Sequence, residues 1–393
     1  MNRTSASCDC IREDDGLRLH WRDGHESFFH FVWLRDCCYC ETCGDSYSSN
    51  RFLQPCDVAL DSQPDSVVVD NAELQIVWRD EQHHSTYSLD WLRDHCYSKV
   101  ARESRIHRPI FWDASIADHL PEVQFEAACQ DAGGLELCRK LRDYGFVVVR
   151  NGPAKVSGTE TIAQLIGEVT DSAYGKFFDL SPKSTIKTLG NTLHPVQPHT
   201  DEAYRHNPTG VNVLHCLRPA DEGGESVLVD GFYLGDCLRS ANPDSFRLLV
   251  EYPQSFNRVT HGGDHPIHQC TRAPVYTVDE NDNIVGFRFH TRSTGPLDVP
   301  ADAFLGVYAA NRTLSEMMLE AENQAVFRLE AGDAVMFDNQ RVMHSRRGFS
   351  DHQRKLRICN VTGEQFHERL RMLAYRLGFA EESQQILAAG VCG

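Results

Sequence analysis

The reading turns on His199-Thr200-Asp201, an H-x-D tripeptide with a distant partner, His344. On an extended segment side chains alternate across the strand, so His199 and Asp201 fall on one side. His344 then closes a face of three ligands. Two imidazoles and one carboxylate leave three positions of an octahedral ion open, an arrangement suited to a non-haem Fe(II) centre. With 19 histidines in the chain the tripeptide alone is a weak signal, because such pairs are more often polar surface groups. The surrounding sequence gives it weight.

The chain of 393 residues is long enough for one large domain and a small one. It carries 56 acidic against 39 basic groups, a formal charge of −17, which disfavours nucleic acid and anionic membranes as partners. A locally basic pocket for an anionic substrate remains compatible with that total. The first 20 residues, with Arg12, Glu13 and Asp14, show no apolar run of the kind an export signal needs. No window approaches 18 apolar residues, so no membrane span is expected. Fifteen cysteines without an export signal read as reduced thiols or metal ligands, and the expected location is the cytoplasm.

Residues 1–104 read as a small β-rich unit, with alternating stretches at 16–21, 66–69 and 73–78. Within it Cys37-Cys38-Tyr39-Cys40-Glu41-Thr42-Cys43 supplies three thiolates from a tight loop, Cys38, Cys40 and Cys43. Zn(II) then wants a fourth ligand, and His83 and His84 follow at a strand end. A site with no vacancy staples a domain too small to hold itself firmly. Arg105 to Pro121 reads as a linker and 105–393 as the second domain. Helices are expected at 124–144, 159–169, 232–251, 300–323 and 364–377. Strands are expected at 145–149, 210–217, 225–229, 325–329, 334–337, 341–344 and 356–361, with a hairpin from 275–278 to 284–289. The polar stretch 174–196 is expected to form a lid or pocket wall. Many short strands with helices outside predict a mainly β, double-stranded β-helix (jelly roll). No internal repeat stands out.

These residues resemble the γ-butyrobetaine dioxygenase branch of the taurine dioxygenase-like superfamily, which uses Fe(II) and 2-oxoglutarate. Trp33-Leu34-Arg35-Asp36 and Asp90-Trp91-Leu92 resemble its zinc domain. His199-Thr200-Asp201, Leu214-His215-Cys216, Gly223-Gly224-Glu225-Ser226, Val229-Asp230-Gly231-Phe232, Gly332-Asp333, Phe337-Asp338-Asn339 and His344 resemble its core. The resemblance implies iron on His199, Asp201 and His344, and it selects His83 as the fourth zinc ligand. It places the far carboxylate of 2-oxoglutarate on Arg354 with Ser226 and Leu214 beside it, Arg357 being the alternative cation. A guanidinium suits that carboxylate because it binds two oxygens at once. The resemblance further implies a homodimer, O2 as co-substrate and stimulation by ascorbate.

The family holds a trimethylammonium group in an aromatic cage through cation–π contacts. Here two cage positions stay aromatic, Tyr174 and Phe178, and three fall on Asn191, Glu202 and Asn360, with Tyr204 nearby. The strand that meets the substrate carboxylate in the family reads Phe287-Arg288-Phe289-His290-Thr291-Arg292. Arg288 and His290, two apart, share a face if this is a strand. That is more cationic than a monocarboxylate requires. The expected substrate is therefore a short quaternary-ammonium phosphonate, 2-(trimethylammonio)ethylphosphonate, hydroxylated at the carbon next to phosphorus. γ-Butyrobetaine, giving L-carnitine, is the near alternative and ε-trimethyllysine a more distant one. From other classes stand an inactive zinc-stabilised binding protein and a zinc hydrolase on the same three ligands.

Overall fold

The computed structural model describes residues 8–45, 47–79, 82–172, 174–183, 189–260 and 266–383. Residues 184–188 of the expected lid lie outside them. The chain divides into two compact units, Met1–Ile106 and His107–Gly393.

The first unit is built from two three-stranded antiparallel sheets. Cys8–Arg12, Gly16–Trp21 and Glu26–His30 form one; Pro64–Asp70, Glu73–Trp78 and His84–Ser88 form the other. Each sheet is followed by a short helix, Phe31–Asp36 or Leu89–Asp94. The two halves are copies of one another, which the sequence reading missed. Leu17, Leu19 and Trp21 correspond to Leu74, Ile76 and Trp78, and all six are buried in one core. Trp21 Nε1 donates to Ser27 Oγ at 2.9 Å, and Trp78 Nε1 donates to Ser85 Oγ at 2.9 Å. Trp33-Leu34-Arg35-Asp36 recurs as Trp91-Leu92-Arg93-Asp94, with Trp33 stacked on Trp91 at 5.6 Å between centroids. The repeat hides because most of its shared residues are isolated core positions in strands.

The second unit is a double-sheet sandwich with helices on both outer faces. Its larger sheet has the strand order Phe178–Leu180, Lys355–Val361, Val211–Arg218, Ala334–Asp338, Phe146–Arg150, Glu122–Gln124. The smaller runs Val196–His199, Val342–Arg346, Ser226–Asp230, Ala325–Phe327. Period-two alternation explains the layering. Phe146 and Val148 point between the sheets, where they meet Leu228, Phe327 and Val342. Val147 and Val149 point the other way, onto the helices Asp131–Tyr144 and Gly363–Arg376 through Leu135, Leu141, Leu370 and Leu373. The outer face of the small sheet is covered by Gly231–Ala241, Pro243–Glu251 and Phe304–Leu319. This is the expected jelly roll.

Several expected boundaries move. The helix expected at 124–144 is a short turn, Phe125–Ala128, and a long helix that begins at Asp131. The expected linker is anchored: Trp112 is buried and its Nε1 donates to the Tyr144 carbonyl at 2.6 Å. A two-stranded hairpin, Gln254–Thr260 with Ile267–Ala273, was not anticipated.

Candidate active site

The small sheet brings the three expected ligands together. His199 ends the strand Val196–His199 directly opposite His344 on Val342–Arg346. The chain then turns sharply. Asn339 clamps that turn: its Oδ1 accepts from Asp201 N at 2.6 Å, and its Nδ2 donates to the Asp201 carbonyl at 3.0 Å. His199 Nε2 lies 3.4 Å from Asp201 Oδ1, and His344 Nε2 lies 3.6 Å from Asp201 Oδ2. All three donor atoms fall within 4.8 Å of one another.

This set fits a divalent cation. His199 Nδ1 lies 2.8 Å from the Gln197 carbonyl. A carbonyl only accepts, so Nδ1 carries the proton and Nε2 turns a lone pair toward the centre. Burial pushes the His344 imidazole down to about 3, so it is neutral at physiological pH. Burial alone would raise the Asp201 carboxyl, but His344 and His199 hold it below the usual range. Asn212 Nδ2 fixes Asp201 Oδ2 at 2.9 Å.

The triad faces a cavity of about 330 Å³. Arg354, Ser226 and Leu214 line it together, as expected of a 2-oxoglutarate subsite. Gly224 makes room for Arg354: a Cβ there would stand 3.1 Å from Arg354 Nε, and the backbone sits at φ +71°. Burial lowers the Arg354 guanidinium to about 10, which leaves it charged at neutral pH. Arg357 does not line the cavity. It pairs with Asp179 at 3.2 Å and lies over the Phe177 ring, because odd and even residues of its strand face opposite ways.

Tyr174, Phe178, Glu202, Tyr204, His290 and Asn360 all line the same cavity. Tyr174 and Phe178 form a tilted pair 5.0 Å apart. Glu202 is buried at φ +50° and bridges to Arg205 Nη1 at 2.7 Å. Two expectations fail. Asn191 is outside the lining, its Oδ1 accepting from Ser181 N at 2.9 Å. Arg288 is outside it too: Nη1 donates to the carbonyls of Ala203 and Arg205 at 3.1 and 3.0 Å, and Nη2 to that of His206 at 3.3 Å. The strand ends at Phe287, so the alternation assumed for Arg288 and His290 does not continue. Arg292 and Arg258 face the cavity instead.

The other cluster lies in the first unit. Cys38, Cys40 and Cys43 each place Sγ 3.4 Å from His83 Nε2. The loop backbone turns on itself, with Cys43 N and Gly44 N both donating to the Cys40 carbonyl. His84 begins the next strand and is exposed, so the physical ambiguity between the two histidines closes on His83.

Residues 112–360 match the taurine catabolism dioxygenase TauD, TfdA family. The chain belongs to that family. Residues 9–93 match the gamma-butyrobetaine hydroxylase-like N-terminal family. The chain is 30% identical over 374 residues to the mitochondrial trimethyllysine dioxygenase of Gallus gallus, covering 94% of this chain and 88% of that one. It is 31% identical over 365 residues to the gamma-butyrobetaine dioxygenase of Pseudomonas sp. strain AK-1, covering 91% and 94%. A solved taurine dioxygenase from Burkholderia xenovorans superposes with a TM-score of 0.46 at 17% identity, over 60% of this chain and 82% of that one. The chain is a 2-oxoglutarate- and iron-dependent dioxygenase of the γ-butyrobetaine branch. No helix among the described residues is long and apolar enough to cross a membrane.

Among the residues of the dioxygenase site that escaped the sequence reading are Asn339, Asn212, Arg292 and Arg258. Asn339 sat in a quoted family motif but was given no role. Asn212 lies inside an expected strand but was given no role. Arg292 was quoted but given no role, and Arg258 lies on the hairpin that was not foreseen.

Proposed function

We propose that this dioxygenase hydroxylates a small trimethylammonium zwitterion, using Fe(II) on His199, Asp201 and His344. The observation that carries the reading is a single cavity that holds the triad, Arg354 with Ser226, and the Tyr174–Phe178 pair. When bound, the metal and 2-oxoglutarate supply an oxidant by coupling loss of CO2 from the keto acid to O2 activation, leaving succinate. The chain's own part is to aim one C–H bond and keep water away. Arg354 grips the far carboxylate of 2-oxoglutarate, with the Ser226 hydroxyl beside it. Tyr174, Phe178 and Tyr204 offer ring faces to the cation, and Glu202 adds a buried carboxylate. The substrate we favour is 2-(trimethylammonio)ethylphosphonate, hydroxylated next to phosphorus, because the cavity wall beside His290 is cationic.

The second reading is γ-butyrobetaine hydroxylation to L-carnitine, supported by the 31% identity to the Pseudomonas enzyme of that name. The Cys38, Cys40, Cys43 and His83 cluster is read as a structural Zn(II) site, since four soft or borderline ligands leave no vacancy. A cytoplasmic homodimer completes the proposal. The test is succinate release from Fe(II)-loaded protein given 2-oxoglutarate and air. Faster release with the phosphonate supports the favoured reading; faster release with γ-butyrobetaine replaces it. No stimulation by either of these or by ε-trimethyllysine overturns the zwitterion assignment.

A further inference from the structure

We propose that Arg258 and Arg292 are specificity-determining residues that together grip a doubly charged, three-oxygen head group, so that the matching substrate class is an alkylphosphonate dianion. The inference rests on the function proposed above and adds the residues that choose the head group. Arg258 stands on the first strand of the unforeseen hairpin, and Arg292 follows His290 on the loop after Ile284–Phe287. Backbone bonds tie the two segments: Asn257 N donates to the Ser293 carbonyl, and Gly295 N to the Ser255 carbonyl, both at 2.7 Å. Phe256 and Thr294 form an antiparallel bridge. Two residues along from that bridge in each direction, Arg258 stands opposite Arg292.

Both arginines line the triad's cavity. Arg292 Nη2 reaches His290 Nε2 at 3.2 Å, and the His290 ring stacks on His199 at 5.0 Å. The cationic pair is therefore one side chain away from the proposed iron ligands. The other arginines here are occupied: Arg288 and Arg346 each serve three backbone carbonyls, and Arg354 serves that of Gly224. Among the described residues neither Arg258 nor Arg292 pairs with a carboxylate, and Arg258 Nε is buried without a partner. Like charges facing one another across paired strands destabilise the pair. An incoming anion removes that cost. A carboxylate has one charge and two oxygens, enough for one guanidinium. A phosphonate dianion has two charges and three oxygens, enough for both.

The experiment uses full-length protein loaded anaerobically with Fe(II) and 2-oxoglutarate. It is titrated at pH 8 with 2-(trimethylammonio)ethylphosphonate and with its sulfonate isostere, which keeps three oxygens but only one charge. The phosphonate is expected to bind at least about tenfold tighter, or about 1.4 kcal/mol. Arg258→Gln and Arg292→Gln should each bring that ratio close to one, and Arg258→Lys should restore part of it. Equal affinities in the wild type, or an unchanged ratio in both Gln variants, overturn the inference. If a variant does not fold, the wild-type ratio still decides. Preference in binding without succinate in air would sink the hydroxylase reading alone; turnover without preference would sink only this one.

A separate observation, the internal duplication, carries a second inference. We infer that His25 and Cys96 are the frame of a second zinc site that lacks two of its four ligands; this rests on the zinc reading of the first cluster. Cys38 and His83 come from different halves of the first unit. Their counterparts, Cys96 and His25, pair in the crossed sense, with Sγ and Nε2 3.3 Å apart. Cys96 is fully buried. Trp21 N donates to the His25 carbonyl as Trp78 N does to that of His83. Gly44 N bonds the Cys40 carbonyl at 3.0 Å, and Arg102 N bonds the Ser98 carbonyl at 2.9 Å. Ser98 thus stands where Cys40 does, and Ala101 where Cys43 does. Ser98 Oγ already lies 3.4 Å from Cys96 Sγ. The full chain carrying Ser98→Cys and Ala101→Cys should hold two zinc ions where the wild type holds one. A folded double variant that holds no more zinc than the wild type overturns the inference. If that variant does not fold, Ser98→Cys alone should give a Co(II)–thiolate band that Cys96→Ala abolishes, and a band surviving Cys96→Ala counts against it. A wild type without zinc, beside a variant that holds one, would sink the first-cluster reading and leave this one standing.

Discussion

The two ligand clusters differ in one number. The first unit converges three thiols on one imidazole, each Sγ 3.4 Å from His83 Nε2. The second converges two imidazoles and one carboxylate on a cavity of about 330 Å³. Four chain ligands fill a tetrahedral ion and leave chemistry no position. Three leave an octahedral ion open toward the cavity. The closed cluster ties distant segments of a small β unit. The open one is itself held by a sheet expected to fold without it, since His199 ends one of its strands and His344 lies inside the next.

The largest effect that comparison predicts is loss of chemistry without loss of fold. Asp201→Ala should lower substrate-dependent succinate formation by at least about a hundredfold, the lower end of the scale for removing one preorganised electrostatic group. Its melting temperature should stay within a few degrees of the wild type. An inactive variant that also unfolds would mean the triad is structural, and the contrast with the first unit would collapse.

The converse holds for the closed cluster. Structural zinc contributes apparent binding energy of about 10–16 kcal/mol in small peptides. Cys43→Ser, or zinc removal by a chelator, should therefore abolish amide protection across the core strands 16–21 and 73–78. Protection of 334–338 and 342–346 in the jelly roll should survive. Hydrogen exchange read by mass spectrometry separates the two units in one experiment. Full protection of both in the metal-free protein would show that the first core, with Trp21, Trp78 and Leu34 all buried, holds by itself.

What the sequence revealed follows the same division. The triad was legible because its first two ligands sit two residues apart and the third falls in a short strand expected near 341–344. The cluster of Cys38, Cys40, Cys43 and His83 was legible because three of its members are local. The arginines at the substrate end were not. Whether Arg288 or Arg292 faces the cavity depends on where a strand stops, and it stops at Phe287 because the chain turns to bond the unforeseen hairpin. That hairpin carries few apolar residues, its buried anchor being Phe256. The duplication escaped because its copies share scattered core positions, which only a superposed pair of Trp–Ser hydrogen bonds makes plain.

The 2-oxoglutarate end tests the open site at finer grain. Arg354→Met should raise the KM for 2-oxoglutarate by about 10- to 100-fold, since a hydrogen bond to a charged group contributes about 1.5–3 kcal/mol. kcat at saturating 2-oxoglutarate should move far less. A large fall in kcat with unchanged KM would mean that Arg354 shapes the sheet rather than the subsite.

The smallest effect belongs to Arg357, three residues further along, inside the strand that Arg354 immediately precedes. Its guanidinium pairs with Asp179 on the neighbouring edge strand and lies over Phe177, 4.7 Å from the ring centroid. Both charged groups keep contact with solvent, and such pairs contribute about 0–1 kcal/mol. Arg357→Met should therefore leave the KM for 2-oxoglutarate within about twofold of the wild type, a difference of about 0.4 kcal/mol. Strand parity turns Arg357 away: Leu356 and Ile358 line the cavity, as does Arg354 just before the strand, and Arg357 does not. If Arg357→Met weakened 2-oxoglutarate as much as Arg354→Met, the register that sets Leu214 opposite Ile358 would be out by one residue. The assignment of the whole open site would then shift with it.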